Sequence, residues 1–187
     1  MSRERFVELM APALTRFSQD LKSVLRIVED PEIDDASRTA TAGCLLHVIS
    51  SSGAIPGVRG VLRHLGDVLV VRITLSRVRE SSPDAFERHA VESPEMLAPL
   101  TEELEAMTAY LGDRVTVLEA VVDKFPKLNH QGHQAADCIG DTEASNWLYD
   151  AVHEALIDEI DIDDDDVVRE LKQVDRILDP LAARVRR

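Results

Sequence analysis

The sequence predicts an all-α fold, a helical bundle of about seven helices built around a central helix-turn-helix hairpin at residues 36–78. Three observations carry this expectation. Apolar residues recur at three- and four-residue steps over most of the chain, the signature of helices with one buried face. Aromatic residues make up only 4% of a chain that is 44% hydrophobic, so the interior must be built from Leu, Val, Ile and Ala, which suits helix-on-helix packing better than an aromatic-rich sheet. No alternating run is long enough to read as a useful strand, and no internal repeat is present. The 187 residues fit one domain, or two regions sharing a core: a hairpin region over 1–81 and an acidic helical region over 82–187 packed against it.

The elements follow in order. Phe6, Met10, Leu14, Phe17, Leu21, Val24 and Val28 mark the apolar face of a first helix over 3–29, with Pro12 either kinking it or marking its start and Asp30-Pro31 ending it. Asp34 or Asp35 caps a second helix running to about Ser52, and Gly53 and Pro56-Gly57 close the turn after it. The third helix runs from about Val58 to Val78; Val68 to Val71, Ile73 and Leu75 leave few polar positions, which places it at the centre. Ser-Pro pairs at 82–83 and 93–94 each start a helix with Pro at its first position. Gly112-Asp113 breaks the second of these, and residues 126–140 form the one long loop without periodicity. Asp141 or Thr142 caps a helix carrying Trp147, Leu148 and Val152, and the acidic run Asp161–Asp166 leads into a final helix. Its apolar residues at 171, 174, 178, 181 and 185 form a short heptad-like seam, suited to packing within the chain or to forming a homodimer.

Charge is unevenly placed. Residues 1–80 hold 11 Lys and Arg against 10 Asp and Glu, residues 81–140 hold 4 against 11, and residues 141–187 hold 6 against 14, so the whole formal charge of −14 arises beyond residue 80. Such a surface repels phosphate backbones and anionic lipids, which argues against nucleic acid as a partner. Residues 39–58 lack Asp, Glu, Lys and Arg over about the length of a membrane span, yet three serines, His47, Pro56 and three glycines make a buried helix end and turn the better reading than membrane association. Cys44 and Cys138 match no zinc spacing and no disulfide framework, and reduced thiols fit the cytoplasm. The first residues lead into an amphipathic segment with Glu8 and Asp20 rather than the apolar core of a signal peptide.

The pattern around the turn resembles the YkvA-like family of small bacterial helical domains. Ile55-Pro56 and Asp67 stand at that family's spacing, and Phe6–Val28 and Asp34–His47 resemble its two leading helices. The resemblance spans roughly residues 1–80 and implies a helical hairpin fold with no established biochemical function. The chain departs from the family where acids and a Tyr-Pro pair are usual: it has His47, Ser51, Gly53, Gly57 and Gly66 instead. Of the acids the family pattern would supply only Asp67 remains, and with His47 at the family's Tyr position it makes a candidate polar site.

Candidate chemistry lies elsewhere as well. His130-Gln-Gly-His133, with Asp137, Cys138 and Asp141 following, offers imidazole, thiol and carboxylate ligands suited to zinc or a related ion. Asp150-x-x-His153 is half of a di-iron carboxylate pattern whose other copy is missing. Glu159–Glu170 places acids at calcium-loop positions but has Asp164 where the sharp turn needs Gly, so helix capping is the preferred reading. The glycines at 53, 57 and 60 precede a helix without the Gly-Lys-Ser/Thr ending of a phosphate loop. Arg59, Arg63, Arg72, Arg77 and Arg79 give the third helix a basic character, read as internal pairing first, with Arg59 and Arg63 as candidate partner-binding residues. No set of nucleophile, base and acid is marked out. These observations point to a non-enzymatic helical protein–protein interaction module. The alternatives are a metal-binding protein or metal-dependent enzyme using His130, His133 and Asp137, and a membrane-associated protein using residues 39–58.

Overall fold

The computed structural model describes residues 2–158 and 162–185. The fold is all-α, as the periodicity predicts, with twelve α-helical segments among the described residues rather than about seven. The difference lies in breaks that apolar spacing does not reveal. The first expected helix divides at Arg16 into α1 (Ser2–Thr15) and α2 (Phe17–Glu29). Pro12 lies inside α1, and the chain bends four residues later, where the Arg16 N–H still reaches the Pro12 carbonyl at 3.1 Å. The last expected helix divides into α11 (Asp164–Leu171) and α12 (Leu178–Val185) across a 3-10 turn at Val174–Ile177. Of the expected seam, Leu171, Val174 and Leu181 are buried in the chain's own core with Ile177 beside them, Leu178 is partly buried, and Val185 is exposed, so the seam packs inward except at its end.

Capping chemistry fixes several starts. Asp34 accepts a hydrogen bond from the Ser37 N–H at 2.9 Å and begins α3 (Asp35–Ile49). Burial opposes its charge, but the Ser37 N–H and the hydroxyls of Ser37, Ser81 and Ser82 hold its carboxyl down at about 2. Pro83 and Pro94 open α5 (Pro83–Glu92) and α6 (Pro94–Leu97), followed by α7 (Leu100–Leu111). A 3-10 turn at Gly112–Arg114 leads into α8 (Val115–Val122). The expected loop at 126–140 has local order: a 3-10 turn at Phe125–Lys127, a hairpin of β1 (Asn129–His130) and β2 (His133–Gln134), and α9 (Asp137–Gly140). Asp141 then accepts from the Ala144 N–H at 2.9 Å and starts α10 (Thr142–Asp158).

The centre of the bundle is α4 (Val61–Ser81), which buries residues on every side. The core is one continuous apolar cluster through both halves of the chain, with α1 packed on α7 and α11 and α3 packed on α2 and α4. Residues 39–58 do not form one helix: α3 ends at Ile49 and the backbone turns through Ser51 and Gly53, both at positive φ. No helix among the described residues is long and apolar enough to cross a membrane.

Two close fits lock this arrangement. Arg72, in the middle of α4, is 1% exposed; it donates to Glu103 of α7 at 2.6 Å and to Asp20 of α2 at 2.7 Å. Arg16, at the α1–α2 break, lies 3.3 Å from Asp20 and 3.2 Å from Glu103. Burial opposes the charge on Arg72, yet the two carboxylates outweigh it and raise its pKa. The second fit is backbone against backbone: a Cβ on Gly43 of α3 would stand 2.0 Å from the Phe125 carbonyl oxygen.

Arg72→Met leaves two carboxylates buried in the core, and urea titration is expected to show a loss of about 3–5 kcal/mol. The same change combined with Asp20→Asn and Glu103→Gln should recover most of that loss; equal losses in the two variants would refute the network's role. Gly43→Ala should lower stability by about 1–3 kcal/mol, although alanine gains roughly 1 kcal/mol in helix propensity, because the Phe125 backbone must move. A neutral or stabilising result would show that the 125–127 turn yields freely.

Candidate functional site

The hairpin at 129–134 and α10 form the walls of a cleft of about 310 Å³. Gln131 and Gly132 take positive φ values of 50° and 89°, which makes the two-residue turn that joins antiparallel strands with matching twist. His130 and His133 are therefore cross-strand partners, and both imidazoles sit against Trp147. The His133 ring stacks on the indole with centroids 3.9 Å apart and an interplanar angle of 11°, whereas the His130 ring tilts at 6.3 Å. Trp147, Asp150, Ala151 and Glu154 follow at helical steps along one face of α10 and line the cleft, with Ile49 from the end of α3 and His130 and Gln131 from the hairpin. Asp150 and Glu154 are exposed, and neither pairs with a cation among the described residues.

The hairpin thus gives the two histidines an aromatic partner. Asp137 is exposed at the start of α9, and Cys138 is buried, its thiol pushed up to about 11 by that burial and by Asp137. No three His, Cys, Asp or Glu side chains among the described residues are placed to hold a metal ion, so His130, His133 and Asp137 do not converge as a ligand set. His153 turns away to the Tyr149 carbonyl, 2.8 Å from its Nδ1. In the acidic run, Glu159 and Asp161 lie outside the described residues. Asp163 caps α11 through the Asp165 N–H at 2.8 Å, and Glu170 accepts the Val61 N–H at 3.0 Å. That last contact sets a carboxylate on the start of α4, where the glycines at 57 and 60 open the chain into the helix at φ of 78° and 60°.

Arg59 and Arg63 part company. Arg59 lines a groove with Arg169, Glu170 and Arg176, whereas Arg63 folds back to donate to the Ser51 carbonyl at 3.2 Å and lies 3.3 Å from His64 Nε2. Arg77 pairs with Asp123 at 2.8 Å and Arg79 donates to the Thr101 hydroxyl at 2.8 Å, so most of the basic series on α4 is satisfied within the chain.

A second polar site lies beneath the turn. His47 on α3 and Asp67 on α4 are brought together, His47 Nε2 standing 3.6 Å from Asp67 Oδ1. His64 joins them, its Nδ1 3.9 Å from Asp67 Oδ2. Its place three residues before Asp67 on a helix with few polar positions was the available sequence signal. Asp67 is 1% exposed and His47 is 7% exposed, and neither His47 Nε2 nor Asp67 Oδ1 has a hydrogen-bond partner among the described residues. Burial drives the Asp67 pKa up to about 7, against the opposing pull of Arg63 and the Ala54 N–H. Burial drives His47 down to about 4. Comparison with protein-family models, with curated proteins and with solved structures finds no match to this chain.

The two groups affect stability in opposite directions. Asp67 titrates near 7 folded against an ordinary 3.8, so the unfolded chain sheds this proton first and stability falls as pH rises through that interval. His47 titrates near 4 folded against an ordinary 6.5, so stability falls as pH drops through that interval. Over the shared range the folded pair and the unfolded pair each hold one proton, and the slopes cancel. Asp67→Asn keeps the shape and the acceptor for the Ala54 N–H but removes the ionisation. Its stability relative to the parent should grow from near zero around pH 4 to about 1–4 kcal/mol at pH 7 and above. Urea titrations across that range check this, and a difference independent of pH would refute it.

Proposed function

We propose that this chain is a non-enzymatic helical interaction module that takes a lysine or arginine side chain of a basic protein segment in the cleft beside Trp147. The observation that carries the reading is the pairing of an indole wall with Asp150 and Glu154, one helical turn apart and without cations of their own. His133 covers part of the indole, and the rest faces the cleft, where a cation can lie against the ring. The residues lining the cleft offer an indole, an imidazole and two carboxylates, groups suited to holding a cation by charge and stacking. The acidic excess beyond residue 80 draws basic partners to this half of the surface. The likeness of residues 1–80 to the YkvA-like hairpin belongs to the same proposal as a likeness of fold and adds no activity.

Magnitudes set the form of the partner. A cation on an exposed ring contributes about 0.5–1 kcal/mol and an exposed ion pair about 0–1 kcal/mol. One side chain alone therefore binds in the millimolar range or weaker, and useful affinity needs a segment with several basic residues meeting the acidic surface.

Trp147 is the only tryptophan, so intrinsic fluorescence reports on this cleft directly. Titration with a short Lys/Arg-rich peptide should give a saturable change with Kd between about 10 µM and 1 mM at low salt, weakening as salt is added. Asp150→Asn with Glu154→Gln should weaken it by at least about tenfold, and a peptide with acetylated lysines and no arginine should give no change. An unchanged affinity in the double variant, or equal binding of the acetylated peptide, would overturn the reading.

A further inference from the structure

The turn between α3 and α4 closes over a second cleft, of about 280 Å³, bounded on its other side by the segment after α8. Its chemistry is opposite to that of the Trp147 cleft. Lys124 and Arg184 stand exposed at its rim, brought together from positions 60 residues apart in the chain. Neither pairs with a carboxylate among the described residues, in a protein whose other surface arginines commonly do, as Arg3 with Asp175 and Arg77 with Asp123. Ser52 adds a hydroxyl to the lining, already hydrogen-bonded to Ser50 at 2.8 Å. The deepest polar element is His47, a wall residue more than nine-tenths buried whose Nε2 has no hydrogen-bond partner among the described residues. Directly behind its Nε2, at 3.6 Å, stands the equally unpartnered Oδ1 of Asp67.

Two unpaired cations over an imidazole backed by a carboxyl group form an arrangement for negative charge. The volume admits a small group rather than a large ligand. We propose that this cleft binds a small oxyanion, a phosphate or carboxylate group, between Lys124 and Arg184, with the His47 ring as its wall and Asp67 as the buried acid behind that ring.

Proton balance supports the arrangement. Burial keeps Asp67 protonated to about pH 7 and His47 neutral above about 4, so the empty pair holds one proton, on the carboxyl. An anion beside the ring favours the imidazolium. The proton passes from Asp67 Oδ1 to His47 Nε2, leaving a carboxylate that accepts the new Nε2–H, and no proton is taken from or lost to solvent. The surroundings permit this shift: the Arg63 guanidinium and the Ala54 N–H both favour the Asp67 carboxylate, and His64 lies on its other oxygen. Cys44, also near Asp67, stays a thiol, held up at about 12 by burial.

The test is imidazole NMR on the full chain, with the His47 signals assigned through His47→Gln, during titration with inorganic phosphate and separately with acetate at constant ionic strength and pH 6, where the pair holds its one proton on Asp67. The expected result is a saturable change with Kd of about 1–10 mM for at least one anion, the His47 signals moving from the neutral toward the protonated form. Lys124→Ala with Arg184→Ala, both at exposed positions, should weaken binding by about tenfold or more. Asp67→Asn should leave the His47 signals neutral on anion addition, because it has no proton to give. Preference for phosphate or for acetate identifies the group. Changes that do not saturate by about 100 mM, that persist unaltered in the rim variant, or that bypass His47 would each overturn the proposal.

Discussion

The bundle depends on one buried guanidinium. Arg72 lies at the middle of the central helix, where the positions from Val68 to Leu75 are all buried, and a charge there costs several kcal/mol unless it is closely paired. The pairing comes from two other helices at once: Asp20 of α2 and Glu103 of α7 meet the guanidinium from different directions. Arg16 completes the group from the α1–α2 break, so the bend at that residue delivers a second cation to the same two carboxylates. Rotating α4 by one residue, about 100°, would carry Arg72 away from both acids, leaving its guanidinium buried without a partner and Asp20 and Glu103 with Arg16 alone. The network therefore selects one rotation and one axial position for α4 among the many that its nearly uniform apolar surface would accept, a specificity role of the kind buried polar groups serve in coiled coils.

The second buried polar group, nearer the end of α4, differs in kind. Asp67 and His47 are buried too, but whereas Arg72 meets two carboxylates at 2.6 and 2.7 Å and leaves its Nη1 without a hydrogen-bond partner among the described residues, their facing atoms stand at 3.6 Å, too long for a direct hydrogen bond and too close to admit a water between them. Buried groups joined by close charge-assisted bonds hold a fold in place, whereas facing polar groups with no hydrogen bond between them raise the energy of the folded state without an evident structural return. Its position makes the difference intelligible. The Arg72 side chain is 1% exposed between α2, α4 and α7, and the His47 ring forms part of a cleft wall under a turn that three residues at positive φ, Ser51, Gly53 and Gly57, hold in shape.

The sequence made the helices legible where local chemistry sets them. Asp34 and Asp141 cap, Pro83 and Pro94 open helices, and Gly112 ends one; each acts within three or four residues of itself, and each stands where the pattern predicts. The central position of α4 was legible too, from its want of polar residues. The breaks at Arg16 and after Leu171 were not, because the apolar spacing runs through them and long-range contacts decide the bend. Asp20 and Glu103 read as ordinary charged positions on helix faces, and nothing local tells a carboxylate that will meet a buried arginine from one that will meet water. At the sites, His47 and Asp67 were singled out only through the resemblance of the turn to a family pattern, and it is the folding of α3 against α4 that brings them together. The role of His130 and His133 was not, since a Gln-Gly turn places them on an indole that lies 14 residues beyond His133.

The two clefts share their walls. The last turn of α3 gives His47 to one and Ile49 to the other, two residues apart and so on roughly opposite sides of the helix. On the far side, one stretch of chain gives Lys124, Phe125 and Leu128 to the first cleft and His130 and Gln131 to the second. Between them the Gly43–Phe125 contact holds α3 against that stretch with no room for a single methyl group. Small displacements at such a contact are resisted as overlaps of backbone atoms, not absorbed by rotamer changes. That contact pins the start of the 125–131 segment to α3 between the two clefts. The direction of coupling follows from linkage: whatever one occupant does to the affinity of the other cleft, the second must do to the first in equal measure. The two proposed occupants, a basic segment on the acidic cleft and an oxyanion on the basic one, are opposite in charge, so any through-space contribution between them favours joint occupancy.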